Sequence, residues 1–150
     1  VFAGGGADRN RIKRIVQERN LTNIVMIPRQ PREKMPNLWS ICDVSLVHLK
    51  NTPLFSTVIP SKIFESMGAG LPILISVPKG EATEIIEKTN LGIVIPPEDS
   101  KALYEAILLI QKDKELYNKF SVNSSKASKH YDRKNLALNM LGYIEELVDG

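Results

Sequence analysis

Two hydrophobic periods alternate along the chain. Short, nearly continuous apolar runs occur at Val1–Ala3, Asn23–Ile27, Asp43–Leu49, Pro72–Val77 and Ile93–Ile95. Between them lie segments in which apolar residues recur every three or four positions. Ile12, Ile15 and Val16 do so within 8–19, and Met35, Leu38, Trp39 and Ile41 within Glu33–Ile41. Leu103, Ile107, Leu108 and Ile110 mark another such stripe after Asp99 or Ser100. The short runs read as strands and the periodic segments as helices. Further helices are expected from Gly80-Glu81 to about Lys88, over Lys114–Lys129 and over Arg133–Leu147. Strands that alternate with helices of this length argue for βαβ units and a parallel sheet. Runs without polar alternation fit strands covered on both faces. The predicted class is α/β, a Rossmann-like, doubly wound parallel sheet with C-terminal helices. In such sheets ligands bind beyond the carboxyl ends of the strands. Here those ends are Gly4–Gly6, Pro28–Gln30, the polar loop His48–Ile59 and Ser76–Gly80.

One stretch, Thr57 to Pro72, combines several cues. Pro60 suits the opening of a helix, where a missing N–H costs nothing. Ile63, Phe64 and Met67 give that helix an apolar face, and Gly68 and Gly70 end it before the strand Ile73-Leu74-Ile75. A lone carboxylate, Glu65, lies one turn after Ser61, on the same face.

Composition narrows the function classes. The chain has 150 residues, 43% hydrophobic and 25% charged, as expected of one globular domain. A single cysteine excludes a disulfide framework and fits a reducing compartment. No apolar run approaches the ~20 residues of a membrane helix. The net charge of +3 is modest. Aromatic residues make up 6% and are not interleaved with basic ones, which argues against nucleic-acid binding. The first residues read as a strand already in progress, so the sequence is expected to be one domain of a longer protein.

Two places have the chemistry of an anion site. Gly4-Gly5-Gly6 links a strand to a helix, which suits either a tight turn or close backbone approach to a ligand. Arg9 stands where a dinucleotide fingerprint needs its third glycine. At the second place, the N–H groups of Ser61 and Lys62 and the Lys62 ammonium offer positive charge. Glu65 beside them is suited to accept hydrogen bonds from a ribose diol, although alone it is equally an exposed helix glutamate. His48 closes a strand at the ligand edge, where it serves either the loop or a ligand. Two separated histidines and one cysteine make no metal site.

Three segments, in order, resemble the C-terminal, nucleotide-binding half of retaining GT-B glycosyltransferases of the group often called family 4. They are Asn23–Gln30 with the run Leu38-Trp39-Ser40-Ile41-Cys42-Asp43-Val44, the Pro60–Pro72 stretch, and Gly80-Glu81 through Leu91-Gly92-Ile93-Val94-Ile95-Pro96-Pro97-Glu98-Asp99. The Pro60-Ser61-Lys62 variant is similar to a subgroup that handles deoxy-amino sugars of bacterial surface polysaccharides. The resemblance implies that Glu65 binds the donor ribose and that the amides of Ser61 and Lys62 face its diphosphate. It places Arg29 at the base, and Gly4 and Gly5 beside the nucleotide. The family carries a second glutamate eight positions earlier, near the donor sugar; here that position is Thr57. A donor-sugar role therefore falls to Thr57 or His48, and no catalytic carboxylate is assigned.

The resemblance further implies a nucleotide-sugar substrate, most readily UDP-linked, with no separate cofactor and no metal. It implies an N-terminal acceptor-binding domain and an initial strand and helix outside this sequence. It also implies a cytoplasmic location, with peripheral association at the inner face of the membrane. The alternatives are a UDP-sugar epimerase of the same architecture and a Rossmann-like NAD-binding or interaction module.

Overall fold

The structure is a computed structural model describing residues 1–149. It forms two compact units, Val1–Ser40 and the chain from Ile41 on.

In the first unit β1 (Phe2–Ala3) pairs in parallel with β2 (Met26–Ile27) across α1 (Arg9–Glu18). Ile12, Ile15 and Val16 are half-buried, while the other face of α1 is exposed. After Pro31 a single 3-10 turn, Arg32–Lys34, leads into the short α2 (Met35–Trp39). The expected longer helix stops at Trp39, and Ile41 beyond it is 65% exposed.

The second unit contains β3 (Ser45–His48), β4 (Ile73–Ser76) and β5 (Gly92–Ile95), parallel and in that order. Ser45 is in register with Ile73, and Ile73 with Gly92. Every residue of β4 is buried, as its central place requires. The helices are α3 (Lys62–Gly68), α4 (Glu81–Thr89), α5 (Ser100–Lys112), α6 (Lys114–His130) and α7 (Arg133–Asp149). Ile63 and Met67 of α3 and Ile85 and Ile86 of α4 share one core with Ile73 and Ile75. Ala106 and Ile110 of α5 and Phe120 of α6 share another with Leu74 and Ile95. Neighbouring residues of β4 thus face opposite cores, which is the doubly wound arrangement. On α5 the buried stripe runs Leu103–Ala106–Ile110, a spacing of three and four, and leaves Ile107 47% exposed.

Local chemistry sets the helix ends. Asp99 accepts the Ala102 N–H at 2.9 Å and Asp113 accepts that of Leu116 at 2.8 Å, so each caps the helix that follows. Asn90, at φ 49°, ends α4 in the left-handed region. The end of α3 is a complete Schellman motif. Gly70 (φ 67°) donates its N–H to the Met67 carbonyl and Leu71 donates to that of Ser66, both at 3.0 Å. Two serines of α6 brace this turn from outside. The Ser121 hydroxyl donates to the Gly70 carbonyl and the buried Ser124 hydroxyl to that of Leu71, each at 2.7 Å. Phe64 of α3 also packs against Tyr131, ring centres 5.3 Å apart.

On α7, Leu136, Met140, Tyr143, Ile144 and Leu147 are all exposed, so its apolar face is uncovered among the described residues. No described helix is long and apolar enough to cross a membrane.

Replacing Ser124 by Ala orphans a buried carbonyl. Denaturant unfolding is expected to show a loss of about 1–2 kcal/mol. Ser125→Ala on the exposed side of the same helix should stay within ~0.5 kcal/mol.

Candidate donor-nucleotide site

The site at the carboxyl end of the second sheet is built from the start of α3. One turn into that helix Ser66 is fully buried, its Oγ 2.6 Å from both Ser45 Oγ and the Lys62 carbonyl oxygen. Each hydroxyl has one proton and two acceptor lone pairs, so the two serines close this small network between them. It ties the first turn of α3 to the first residue of β3. With Ser66 and Ile63 turned inward, Ser61 and Glu65 fall on an exposed face, and Lys62 is exposed because it opens the helix.

The helix begins at Lys62, with Ser61 as its flanking residue. It does not begin at Pro60, as the proline suggests. Pro60 supplies a carbonyl instead: Ile63 donates to it at 3.1 Å, while Phe64 and Glu65 donate to the Ser61 carbonyl at 3.1 and 3.2 Å. The Ser61 hydroxyl turns away from the backbone and donates to Glu65 Oε1 at 3.3 Å. The four-residue spacing therefore produces a contact, and the Glu65 carboxylate stands in the first turn, where the helix dipole favours negative charge.

His48 is the last residue of β3 and is exposed. It lines a pocket of about 250 Å3 with Val47, Leu49, Val58, Pro60, Ser61 and Lys62. Three of the residues singled out from the sequence, His48, Ser61 and Lys62, thus meet in one cavity, with Glu65 attached through Ser61. Thr57 ends a 3-10 helix, Pro53–Thr57, inside the expected loop and stands next to the pocket-lining Val58. Its hydroxyl donates to the Leu54 carbonyl at 2.9 Å. An apolar groove of about 260 Å3 runs along β5 and α5, lined by Ile93–Pro96, Ala102, Ala106 and Leu109, with Glu105 as its one ionisable side chain. It has none of the chemistry of the first pocket.

Gly80, ahead of α4, explains how the 3-10 helix is seated. A Cβ at Gly80 would lie 2.0 Å from the Ser56 carbonyl oxygen, so only glycine lets the two backbones touch. Thr83 holds this glycine from inside α4, donating to its carbonyl at 2.7 Å and accepting its N–H at 3.1 Å.

The remaining candidates belong to the first unit. Gly4 and Gly6 take positive φ values of 138° and 156°, and a Cβ on Gly4, Gly5 or Gly6 would meet nothing within 4 Å. Arg29 is exposed in the turn after β2, where the Gln30 side chain donates to the Pro28 carbonyl at 3.0 Å. Arg9 has a use that local pattern does not reveal. Its guanidinium donates to the Gly4 carbonyl and, at 3.1 Å, to that of Ile27, latching the glycine loop to the end of β2. Among the described residues no cluster of three or more His, Cys, Asp or Glu could hold a metal ion.

The family description "Glycosyl transferases group 1" matches residues 1–127. The chain belongs to this family. Among curated relatives, it is 35% identical over 108 residues to the probable glycosyltransferase WbjE of Pseudomonas aeruginosa. That match covers 71% of this chain and 27% of WbjE. It is 31% identical over 127 residues to the O-antigen chain mannosyltransferase C of Escherichia coli, covering 83% and 33%. The chain thus spans only 27–33% of the length of these relatives. Sucrose-phosphate synthase from Thermosynechococcus elongatus superimposes with a TM-score of 0.77 at 25% identity, over 96% of this chain and 35% of that one. Anabaena HepE, solved in complex with UDP-glucose, gives 0.74 at 19% identity, over 99% and 40%. Both superpositions show that the chain shares the fold of these structures.

Gly80→Ala must push the 3-10 helix away from the sheet. Equilibrium unfolding is expected to show a loss of at least about 2 kcal/mol, the range of overpacked buried sites.

Proposed function

We propose that this chain is the donor-binding part of a glycosyltransferase that takes a nucleotide-activated sugar, UDP-linked, for transfer to a cell-surface polysaccharide or lipid-linked acceptor. The observation that carries this reading is the grouping of Ser61, Lys62 and Glu65 at the start of α3 beside His48, at the carboxyl end of a parallel sheet. Family membership and the O-antigen chain in the name of one relative support it. So does the UDP-glucose held by HepE.

In this reading Glu65 accepts hydrogen bonds from the ribose diol, exchanging its contact with Ser61 for them. The amides of Ser61 and Lys62 and the Lys62 ammonium meet the diphosphate. Cleavage of the bond between the sugar and the diphosphate leaves negative charge on the leaving oxygen, and fixed donors aimed there lower the barrier. Charge stabilisation is assigned to these groups because the sequence has no Asp-x-Asp pair to bridge a metal to the diphosphate. The family resemblance alone assigns Arg29, Gly4 and Gly5 to the nucleotide. Thr57 and His48 lie on the sugar side, where Thr57 offers a hydroxyl but no charge to a developing oxocarbenium ion. Retention of configuration follows from the family resemblance. The exposed apolar face of α7 is assigned to the N-terminal acceptor-binding domain of the longer enzyme, which works in the cytoplasm at the inner face of the membrane. A dinucleotide reading is disfavoured by Arg9, which stands in place of the third glycine and donates to the Gly4 and Ile27 carbonyls.

Titration calorimetry with UDP, uridine and NAD tests this directly. Glu65→Ala is expected to weaken both UDP and uridine by roughly 10- to 100-fold, the scale of hydrogen bonds to a charged group. Lys62→Ala should weaken UDP about tenfold and leave uridine unchanged. NAD binding without UDP binding, or UDP binding indifferent to Glu65, would contradict the assignment.

A further inference from the structure

Glu98 occupies a backbone conformation that residues with side chains avoid, φ 63°. It is the third residue of the turn Pro96–Asp99, closed by the Asp99 N–H on the Pro96 carbonyl at 3.4 Å. Proline second and a positive φ third is the type II pattern, in which glycine is the relaxed choice at the third position. The chain has a glutamate there and bears the strain.

The carboxylate has a long-range use. Glu98 Oε1 accepts the backbone N–H of Asn51 at 3.2 Å, 47 positions earlier in sequence. Asn51 is the apex of a tight turn in the loop between β3 and α3, where the Thr52 N–H reaches the Lys50 carbonyl at 2.9 Å. Two residues earlier Leu49 lines the pocket. This loop is tied down at three points. The Leu49 N–H donates to the Ser76 carbonyl at 3.0 Å, Asn51 donates to Glu98, and the Ser56 carbonyl rests on Gly80. The outer two ties are made by backbone. The middle one depends on the Glu98 side chain.

We propose that Glu98 is a positioning residue for the donor sugar: its carboxylate holds the apex of the β3–α3 loop and so fixes the pocket wall at His48, Leu49 and Val58. The sugar part of this inference rests on the donor-binding reading above; the loop tie stands independently.

Glu98→Gly removes the carboxylate and relaxes the turn, whereas Glu98→Gln keeps an oxygen acceptor in place. Three measurements on the full chain are needed: thermal stability, amide hydrogen exchange over 50–57, and affinities for UDP and UDP-glucose. The glycine variant is expected to melt no lower than the parent while amides 50–57 exchange roughly tenfold faster. Its affinity for UDP should be unchanged and that for UDP-glucose about fivefold weaker, the scale of one net hydrogen bond. Glu98→Gln should restore both. Unchanged exchange over 50–57 would overturn the tie. A loosened loop with unchanged UDP-glucose affinity would overturn the sugar role, and so would equal losses for UDP and UDP-glucose with a lowered melting point. A parent chain that binds no UDP would defeat the donor reading and the sugar role with it, while the exchange comparison would still decide whether Glu98 holds the loop.

Discussion

Ser66 is the point from which the candidate site is laid out. Its buried hydroxyl sits 2.6 Å from Ser45 Oγ on β3 and 2.6 Å from the Lys62 carbonyl of its own helix. A buried polar pair of this kind tolerates little displacement, because a lost partner leaves a desolvated hydroxyl unsatisfied. With Ser66 and Ile63 fixed inward, Glu65 and Ser61, four apart on another face, point outward, while Lys62 is exposed because it opens the helix. The other end of α3 is equally constrained by the Gly70 Schellman turn and the α6 serines that brace it. A helix of only seven residues, marginal by itself, is thereby held at both ends by tertiary hydrogen bonds.

The loops at the sheet's carboxyl end follow the same economy. Contact between Gly80 and Ser56 seats the 3-10 helix, and the strained turn at Glu98 catches the loop apex. Each marks a place where two loops must touch, Gly80 by having no side chain and Glu98 by its positive φ. In the first unit Arg9 plays a comparable part for the glycine loop. The segments that would meet a ligand are fixed by contacts to neighbouring loops more than by their own propensity.

Much of this was legible in the sequence. Five apolar runs became five strands, although only β4 is buried throughout, β3 alternates buried and exposed residues, and β1 is exposed. Gly70 signalled the end of α3 through a left-handed backbone conformation that favours glycine. The spacing of Ser61 and Glu65 gave a real contact. The family resemblance rested on three ordered segments, and the match over residues 1–127 agrees with it. Other features were not legible, for a common reason. The Ser121, Ser124 and Glu98 contacts join residues 51, 53 and 47 positions apart, and no local period encodes them. Ile41 and Ile107 looked like core because they are apolar, but the helix ends before one and the buried stripe passes through Ala106 instead of the other. The 3-10 helix at Pro53–Thr57 hid in a loop-like composition.

The central claim is that the start of α3 holds the diphosphate and ribose of the donor. A two-dimensional amide NMR titration of the chain with UDP tests it residue by residue. The account predicts the largest shifts at His48, Ser61, Lys62 and Glu65, saturating together. Shifts centred on the β5–α5 groove, or none at the start of α3, would contradict it.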